Sequence, residues 1–395
     1  MTGTGPAIDW SARADDAEAA VVGRSVRRLW ALPATRLGVP HHPARPADRL
    51  FLRWNLWWQA HLLDAAVEAW HRAPTRPRAA RIRCLVRGAR LRNGGGWANS
   101  YLDDTAWWAL ALERASRRAG PTAGSATPAD PAPLDRQTGR RRWRTAGAAV
   151  TRAAERFDRG WPDDELGGLP WRDGDEFRNA PANGPAAVLL ARTGHPAAAR
   201  RVADWIHREL VRPDGLVADG IRAGERRVET TAYSYVQGVV LGAELELVLR
   251  GDAPDRLHRL VTAVDRHLAP DGVIPGHGGA DAGLFGGILA RYLADVTLRL
   301  PGDAPADRTA RATAGALVLG SADAAWRHRG TDRHGPVFGA DWTRPAGTDP
   351  TADGDLSTQL SGWLLTEAAA AVTAGGPGSR WAGGPPVGPA DVAAR

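Results

Sequence analysis

The feature that most constrains the fold is a series of about twelve segments in which apolar residues recur at helical spacing. In residues 49–71, for example, Trp54, Trp57, His61 and Leu62 fall on one face of a helix. No segment shows the strict alternation that is typical of a strand. The predicted helices are residues 12–32, 49–71, 75–92, 99–113, 140–159, 179–192, 196–210, 230–250, 252–268, 281–300, 305–328 and 355–374.

Helices of two kinds alternate along the chain. A loop that carries glycine and aromatic residues opens one helix, and a more arginine-rich helix follows it. This alternation is expected when an inner ring of helices lies inside an outer ring. The inner ring carries a site at one end, and the outer ring faces water. We therefore predict an all-α fold, an (α/α)6 toroid, in a single domain over residues 12–374. Residues 1–11 and 375–395 are expected to be flexible tails, and the low-complexity residues 119–139 a surface insertion.

The composition argues against several classes of function. The net charge is +7, but the 51 basic residues include no lysine, and the arginines are spread over many helices among acidic residues. We therefore expect no nucleic-acid partner. No apolar run approaches the length of a membrane span, and the first thirty residues hold no apolar core of a signal peptide. We expect a cytoplasmic protein without a membrane partner, although export by another route stays open.

The stretch 99–113 is the candidate site. It follows the glycine run 94–96 and carries two adjacent carboxylates, Asp103 and Asp104, in the first turn of a predicted helix. Acidic residues there are favoured by the helix dipole, which is one interpretation of the pair. The other interpretation rests on the aromatic residues Tyr101, Trp107 and Trp108 around it, on which a sugar ring can stack. Two close carboxylates beside such a surface are typical of glycosidases.

Seven blocks of sequence, in order, resemble glycoside hydrolase family 76, the endo-α-1,6-mannanases. The resemblance covers roughly residues 50 to 370. The blocks are residues 101–111 (YLDDTAWWALA), 167–171 (GGLPW), 178–184 (RNAPANG), 204–206 (DWI), 214–220 (DGLVADG), 233–243 (YSYVQGVVLGA) and 283–293 (GLFGGILARYL). The chain departs from the family pattern at Val236, where asparagine is usual, at Gly286, where lysine is usual, and at Ser234, which stands at the place of a tyrosine.

The resemblance implies a retaining glycosidase that acts on α-mannan. Asp103 would be the nucleophile, and Asp104 the general acid and then the base. The residues expected to bind substrate are Tyr101, Trp97, Trp171, Asn183, Tyr235 and Gln237. We expect no metal and no cofactor, an α-mannan or mannose oligosaccharide as partner, and a monomer.

Three other functions remain compatible with the sequence. A helical protein with an Asp-Asp pair can be a terpene cyclase, but Trp107 stands where the motif Asp-Asp-x-x-Asp would continue. A non-catalytic carbohydrate-binding relative would explain the departures at Val236 and Gly286. A transglycosylase would keep the same chemistry and pass the glycosyl unit to another sugar.

Overall fold

The computed structural model describes residues 8–116 and 140–375, except for the side chains of residues 140–144. The expected insertion, and the two expected tails apart from residues 8–11 and 375, lie outside the described residues. Trp10 and Ser11, expected in the first tail, instead begin the first helix. The carboxylate of Asp9 accepts the backbone N–H of Ala12 at 3.0 Å, which caps the helix two residues earlier than predicted.

The described residues contain twelve long helices. They are α1 (Trp10–Ser25), α2 (Leu56–Arg72), α3 (Arg76–Arg92), α4 (Leu102–Ser116), α5 (Arg140–Arg159), α6 (Ala180–Arg192), α7 (Pro196–Leu210), α8 (Ser234–Val248), α9 (Asp255–Ala263), α10 (Phe285–Arg299), α11 (Pro305–His328) and α12 (Leu356–Ala374). Two four-residue helices, Pro46–Arg49 and Pro350–Asp353, lie in loops. A π turn, Val264–Leu268, extends α9, and 3-10 turns occur at Leu29–Ala31 and Ala280–Leu284.

The even-numbered helices form a closed inner ring. Each packs against the next, from α2 through α4, α6, α8 and α10 to α12, and α12 packs back against α2. The odd-numbered helices form the outer layer, where α3, α5, α7, α9 and α11 each cover the inner helix before them and α1 covers α12. The predicted (α/α)6 toroid is confirmed. None of the helices in the described residues is long and apolar enough to cross a lipid bilayer.

Seven short strands, which the sequence analysis did not predict, lie in the segments between the helices. They form three antiparallel groups, β1 (Val26–Arg27) with β2 (Leu37–Gly38), β3 (Phe177–Asn179) with β4 (Gly220–Arg222) and β5 (Arg227–Glu229), and β6 (Gly330–Asp332) with β7 (Gly335–Val337). Each strand has two or three residues, which is too short for an alternating pattern to reveal. In the middle group Asn179 pairs with Gly220, so the start of α6 is tied to the loop before α8.

A repeated hydrogen-bonding device fixes the loops to the inner ring. In four inner helices the fourth residue is an amide side chain that bonds both the N–H and the C=O of one residue in a preceding loop. The four pairs, with both distances between 2.8 and 3.2 Å, are Gln59 with Gly38, Asn183 with Leu169, Gln237 with Val217, and Gln359 with Phe338. In α4 the fourth residue is Thr105, whose hydroxyl contacts the backbone N–H and C=O of Asn99, each at 3.4 Å. Peptide groups that are buried on folding thereby keep hydrogen-bond partners.

Buried ion pairs link all six inner helices. Asp64 and Glu68 of α2 accept hydrogen bonds from Arg114 of α4 at 2.9 and 2.8 Å, and Asp64 also pairs with Arg291 of α10. The remaining links are Arg192–Glu113 (α6–α4), Arg192–Glu246 (α6–α8), Arg299–Glu246 (α10–α8) and Arg72–Glu367 (α2–α12). We call these residues the ion layer. Arg291 thus braces a buried carboxylate of a neighbouring inner helix.

Replacement of Arg291 by methionine should destabilise the protein strongly, because it leaves Asp64 buried with only one partner. Breaking a buried ion pair costs about 3–5 kcal/mol of the free energy of unfolding, measured by urea denaturation. Arg327→Met is the matched control, since Arg327 bonds Asp323 at 2.9 Å on the surface, and it should cost less than about 1 kcal/mol. Equal losses in the two variants would contradict a structural role for the ion layer.

Candidate functional site

A pocket of about 620 Å³ lies where the inner helices begin. Its volume is in the range of small-molecule sites. Residues from the starts of α2, α4, α8 and α10 and from the loops before them supply the wall, together with β3 and the loop before β4. The lining is Trp54, Asn55, Leu56, Trp57, Asn93, Asn99, Tyr101, Asp103, Asp104, Trp107, Trp171, Phe177, Asn179, Asp219, Tyr235, Asp281 and Phe285.

Asp103 and Asp104 both reach this pocket from the first turn of α4. Asp103 accepts two hydrogen bonds, from the indole N–H of Trp171 to Oδ2 at 2.9 Å and from the backbone N–H of Asp104 to Oδ1 at 2.8 Å. Asp104 accepts a hydrogen bond from the side-chain amide of Asn99 at 2.6 Å. The two carboxylates are thus adjacent, separately held and open to the same cavity.

Burial raises the pKa of both carboxyl groups. The pKa of Asp103 is raised to about 7 by burial and by the neighbouring charge of Asp104. The pKa of Asp104 is raised to about 6 by burial and, to a lesser extent, by the charge of Asp281. Among the described residues that line the pocket there is no cationic side chain to oppose these effects. Both carboxyl groups therefore titrate near neutral pH, as acid–base catalysis requires.

Two further aspartates line the pocket, and the sequence analysis did not single them out. Asp219 lies just before β4, and its Oδ1 is buried without a hydrogen-bond partner among the described residues. Burial, followed by the charge of Glu229, raises its pKa to about 6. Asp281 accepts hydrogen bonds from the indoles of Trp57 and Trp58 at 3.1 and 2.8 Å. The signal for Asp219 was present in the block at 214–220, where it is one of two Asp-Gly pairs.

Aromatic rings form much of the wall. Tyr101 contacts Trp171 edge to face, with ring centroids 5.2 Å apart. Tyr235 stacks on Phe285 at 4.0 Å, with an angle of 20° between the rings. Tyr101, Trp171 and Tyr235 were predicted as substrate-binding residues, and the structure brings all three to the pocket. Their roles there stay predictions.

Three other predicted substrate-binding residues lie outside the pocket lining. Asn183 and Gln237 are fully buried, and their amides are engaged by the backbone of Leu169 and Val217. Trp97 packs beneath the guanidinium of Arg90, 4.9 Å from its ring centroid. Asn183 and Gln237 were expected in the pocket because a polar side chain at a helix start can bond either a loop or a ligand. The sequence does not show which of the two it bonds.

The departures from the family pattern have local explanations. Val236 is fully buried, so it contributes to the core and not to the wall. At Gly286 a Cβ atom would come within 3.0 Å of the ring of Trp342, which leaves little room for a lysine there. Among the described residues no group of three or more His, Cys, Asp or Glu side chains could hold a metal ion.

Comparisons with known proteins identify the family of the chain. Residues 35–375 match the sequence profile of glycosyl hydrolase family 76. No curated protein matches the chain significantly.

Solved structures share the fold. The GH76A α-1,6-mannanase from Salegentibacter sp. HEL1_6 is similar with a TM-score of 0.74 and 24% identity, covering 92% of this chain and 100% of that one. An inactive variant of it, with two consecutive aspartates replaced by asparagine, was solved with α-1,6-mannotriose; it has 23% identity, a TM-score of 0.74 and the same coverage.

A protein from Listeria innocua, Lin0763, has a TM-score of 0.75 and 24% identity, covering 94% of this chain and 99% of that one. These identities support the fold alone. The profile match spans most of the chain and confirms the resemblance seen in the sequence blocks, so the chain belongs to glycosyl hydrolase family 76, a family of glycosidases.

Proposed function

We propose that the protein hydrolyses α-1,6-mannosidic linkages by a retaining, double-displacement mechanism. The observation that carries the proposal is the pair Asp103–Asp104, two adjacent carboxyl groups with raised pKa values in an aromatic pocket. The inactive mannanase variant supports it, because that substitution removes two consecutive aspartates from a protein of the same fold.

In the first step Asp103 attacks the anomeric carbon while Asp104 donates a proton to the departing glycosidic oxygen. A covalent glycosyl–enzyme ester forms, and the reducing-end fragment leaves. In the second step Asp104, now ionised, takes a proton from water. That water attacks the anomeric carbon, releases Asp103 and gives the product with its original configuration.

The hydrogen bonds are the basis for this division of roles, and because the pKa of Asp103 is the higher of the two, the division requires that bound substrate shift the shared proton to Asp104. Both oxygens of Asp103 accept N–H bonds, which stabilise the ionised form and fix the attacking carboxylate. Asn99 holds one oxygen of Asp104, and its amide tolerates the change in protonation during the cycle because Asp104 need only accept from it. Asp219 offers a buried, unpartnered oxygen that suits a sugar hydroxyl.

Asp103→Asn and Asp104→Asn should each lower kcat on α-1,6-mannotetraose by 10³-fold or more, with the fold retained by circular dichroism. The control is Asp163→Asn, which lies in an exposed second Asp-Asp pair and should leave kcat unchanged. Product analysis also separates the alternatives, since longer oligosaccharides would indicate glycosyl transfer and binding without turnover a non-catalytic relative. Full turnover by either pocket variant would contradict the proposal.

Azide should distinguish the two aspartates. With an aryl α-mannobioside, Asp103→Ala should release a β-glycosyl azide, because azide replaces the missing nucleophile on the opposite face. Asp104→Ala should give the α-glycosyl azide, because azide then replaces water in the second step. Proton NMR of the products assigns the anomers, and the reversed pattern would exchange the roles.

The pH dependence of kcat/KM should be bell-shaped, with a maximum between about pH 6 and 7. Below about pH 6 the pair gains a second proton and the nucleophile is neutral, and above about pH 7 it loses the proton that the leaving oxygen needs. The two midpoints belong to the pair and not to single residues. A profile that is flat from pH 5 to 9 would exclude this pair as the acid–base machinery.

Asp103→Asn should also stabilise the fold at alkaline pH. An unfolded aspartate has a pKa of about 3.9, whereas burial raises that of Asp103 to about 7, so the folded state binds more protons between these values. The free energy of unfolding of the wild type therefore falls as pH rises through this range. The melting temperature of the variant should exceed that of the wild type by about 2–5 °C at pH 8 and by less at pH 4.5; an equal difference at both would refute the shift.

A further inference from the structure

Two loops at the pocket end of the toroid expose large apolar side chains. One follows α1, and the other leads into α2, whose first residues line the pocket. Trp30 and Leu32 in the first loop are 52% and 39% exposed, and Leu50 and Leu52 in the second are 55% and 67% exposed.

Hydrogen bonds join the two loops to each other and to a helix end beside the pocket. The indole N–H of Trp30 donates to the backbone oxygen of Leu50 at 2.8 Å. The next carbonyl, that of Phe51, accepts from Arg92 at 2.7 Å. The guanidinium of Arg92 lies 4.9 Å from the ring centroid of Trp54, which belongs to the pocket lining.

Arginines flank these apolar residues along the chain, and in the described structure none of the flanking arginines has an acidic partner. Residues 26–54 contain six arginines and a single acidic residue, Asp48, which is buried. Four of these arginines are exposed and lie within three residues of one of these apolar residues, and within the described residues no carboxylate forms an ion pair with them. They are Arg27, Arg28, Arg49 and Arg53. Elsewhere on the surface, arginines such as Arg200 and Arg227 bond carboxylates directly.

The backbone of the same loops is strained. Trp30, Ala31, Ala34 and Phe51 have φ values of 45°, 59°, 51° and 54°, which places them in the left-handed region that favours glycine. Residues other than glycine are strained in this region, and they persist where the fold or a function requires them. Here the strain accompanies an indole that stays half exposed, so burial of that ring does not offset it.

We propose that this rim face, formed by Trp30, Leu32, Leu50 and Leu52 with Arg27, Arg28, Arg49 and Arg53, binds the surface of an anionic lipid bilayer. The sequence analysis expected no membrane partner because it found no spanning segment, but peripheral binding needs none. The leucines enter the hydrocarbon boundary, the indole suits the interface, and the guanidinium groups meet anionic headgroups. If the proposed function holds, the pocket then lies beside glycans carried on that surface.

The chemistry of the face favours a bilayer over other anionic partners. A nucleic acid or a soluble acidic polymer would use the arginines but not the aliphatic side chains. A free mannan chain would use the indole but neither the charges nor the leucines. An anionic lipid surface presents negative charge and hydrocarbon together, as this set of arginines and leucines requires.

Co-sedimentation with unilamellar vesicles tests the proposal. The protein should bind vesicles of 30% phosphatidylglycerol in phosphatidylcholine at 0.1 M NaCl. It should bind vesicles of phosphatidylcholine alone at least tenfold more weakly. Arg49→Gln/Arg53→Gln should lower the partition coefficient about 25-fold, because each arginine near an anionic surface contributes roughly fivefold. Leu50→Ser/Leu52→Ser should lower it at least tenfold.

Matched controls keep the result specific. Arg259→Gln/Arg266→Gln, at two exposed arginines on and just after α9, and Leu249→Ser, at an exposed leucine after α8, should stay within twofold of the wild type. All variants should hydrolyse soluble α-1,6-mannotetraose at the wild-type rate, so that failure of docking and failure of the proposed function are distinguishable. Absence of vesicle binding, equal losses in the controls, or a loss with the arginine variant alone would overturn the proposal. A lower kcat/KM of Trp30→Ala on long soluble mannan, without any loss of vesicle binding, would assign the face to glycan instead.

Discussion

The ion layer is the interaction on which the ring depends. Arginines that project between inner helices are desolvated, and each would be very costly without a carboxylate from a neighbouring helix. Arg192 meets carboxylates of α4 and α8, Arg299 meets one of α8, and Arg72 meets one of α12. Because the partners lie on different helices, a rotation or axial shift of one helix would separate charges inside the protein. The layer therefore fixes the relative positions of the helices whose first turns carry the site.

A layer of buried aromatic side chains separates these paired charges from the pocket. His61 is fully buried one turn below Trp57, and its ring lies 4.9 Å from that of Trp107. Burial, assisted by the positive charge of Arg291, lowers the pKa of His61 to about 3, so it stays neutral near neutral pH. Arginines lie among the carboxylates below this layer, whereas no cationic side chain of the described residues lines the pocket above it. Burial raises the pKa of Asp103 and Asp104. At Asp64, by contrast, burial is outweighed by the charges of Arg291 and Arg114, which lower the pKa.

The sequence predicted what depends on local periodicity. Helices that begin with proline, such as α7 and α11, were predicted to the residue at both ends, and the Asp-Asp pair was found because its neighbours lie on the same helix. Errors arose where distant segments meet. The helix expected from residue 49 begins at Leu56, because the preceding residues form a turn around the buried, left-handed Phe51. Asp281 entered the pocket unpredicted, because its contacts with Trp57 and Trp58 join segments more than two hundred residues apart.

The two amides that were expected to bind substrate show how this fold separates stability from specificity. Asn183 bonds Leu169, two residues before Trp171, and Gln237 bonds Val217, two residues before Asp219. An amide supplies a donor and an acceptor together, so it satisfies a whole buried peptide group and fixes the loop at one point. Gln59 and Gln359 hold Gly38 and Phe338 in the same way. The residue two positions after Gly38 or Phe338, however, does not belong to the described pocket lining. These amide–backbone hydrogen bonds therefore stabilise the ring of helices. What the pocket binds depends instead on the side chains that follow the anchored residues. Substitutions at Trp171 or Asp219 can then change what the pocket binds while the anchors, and with them the fold, stay in place.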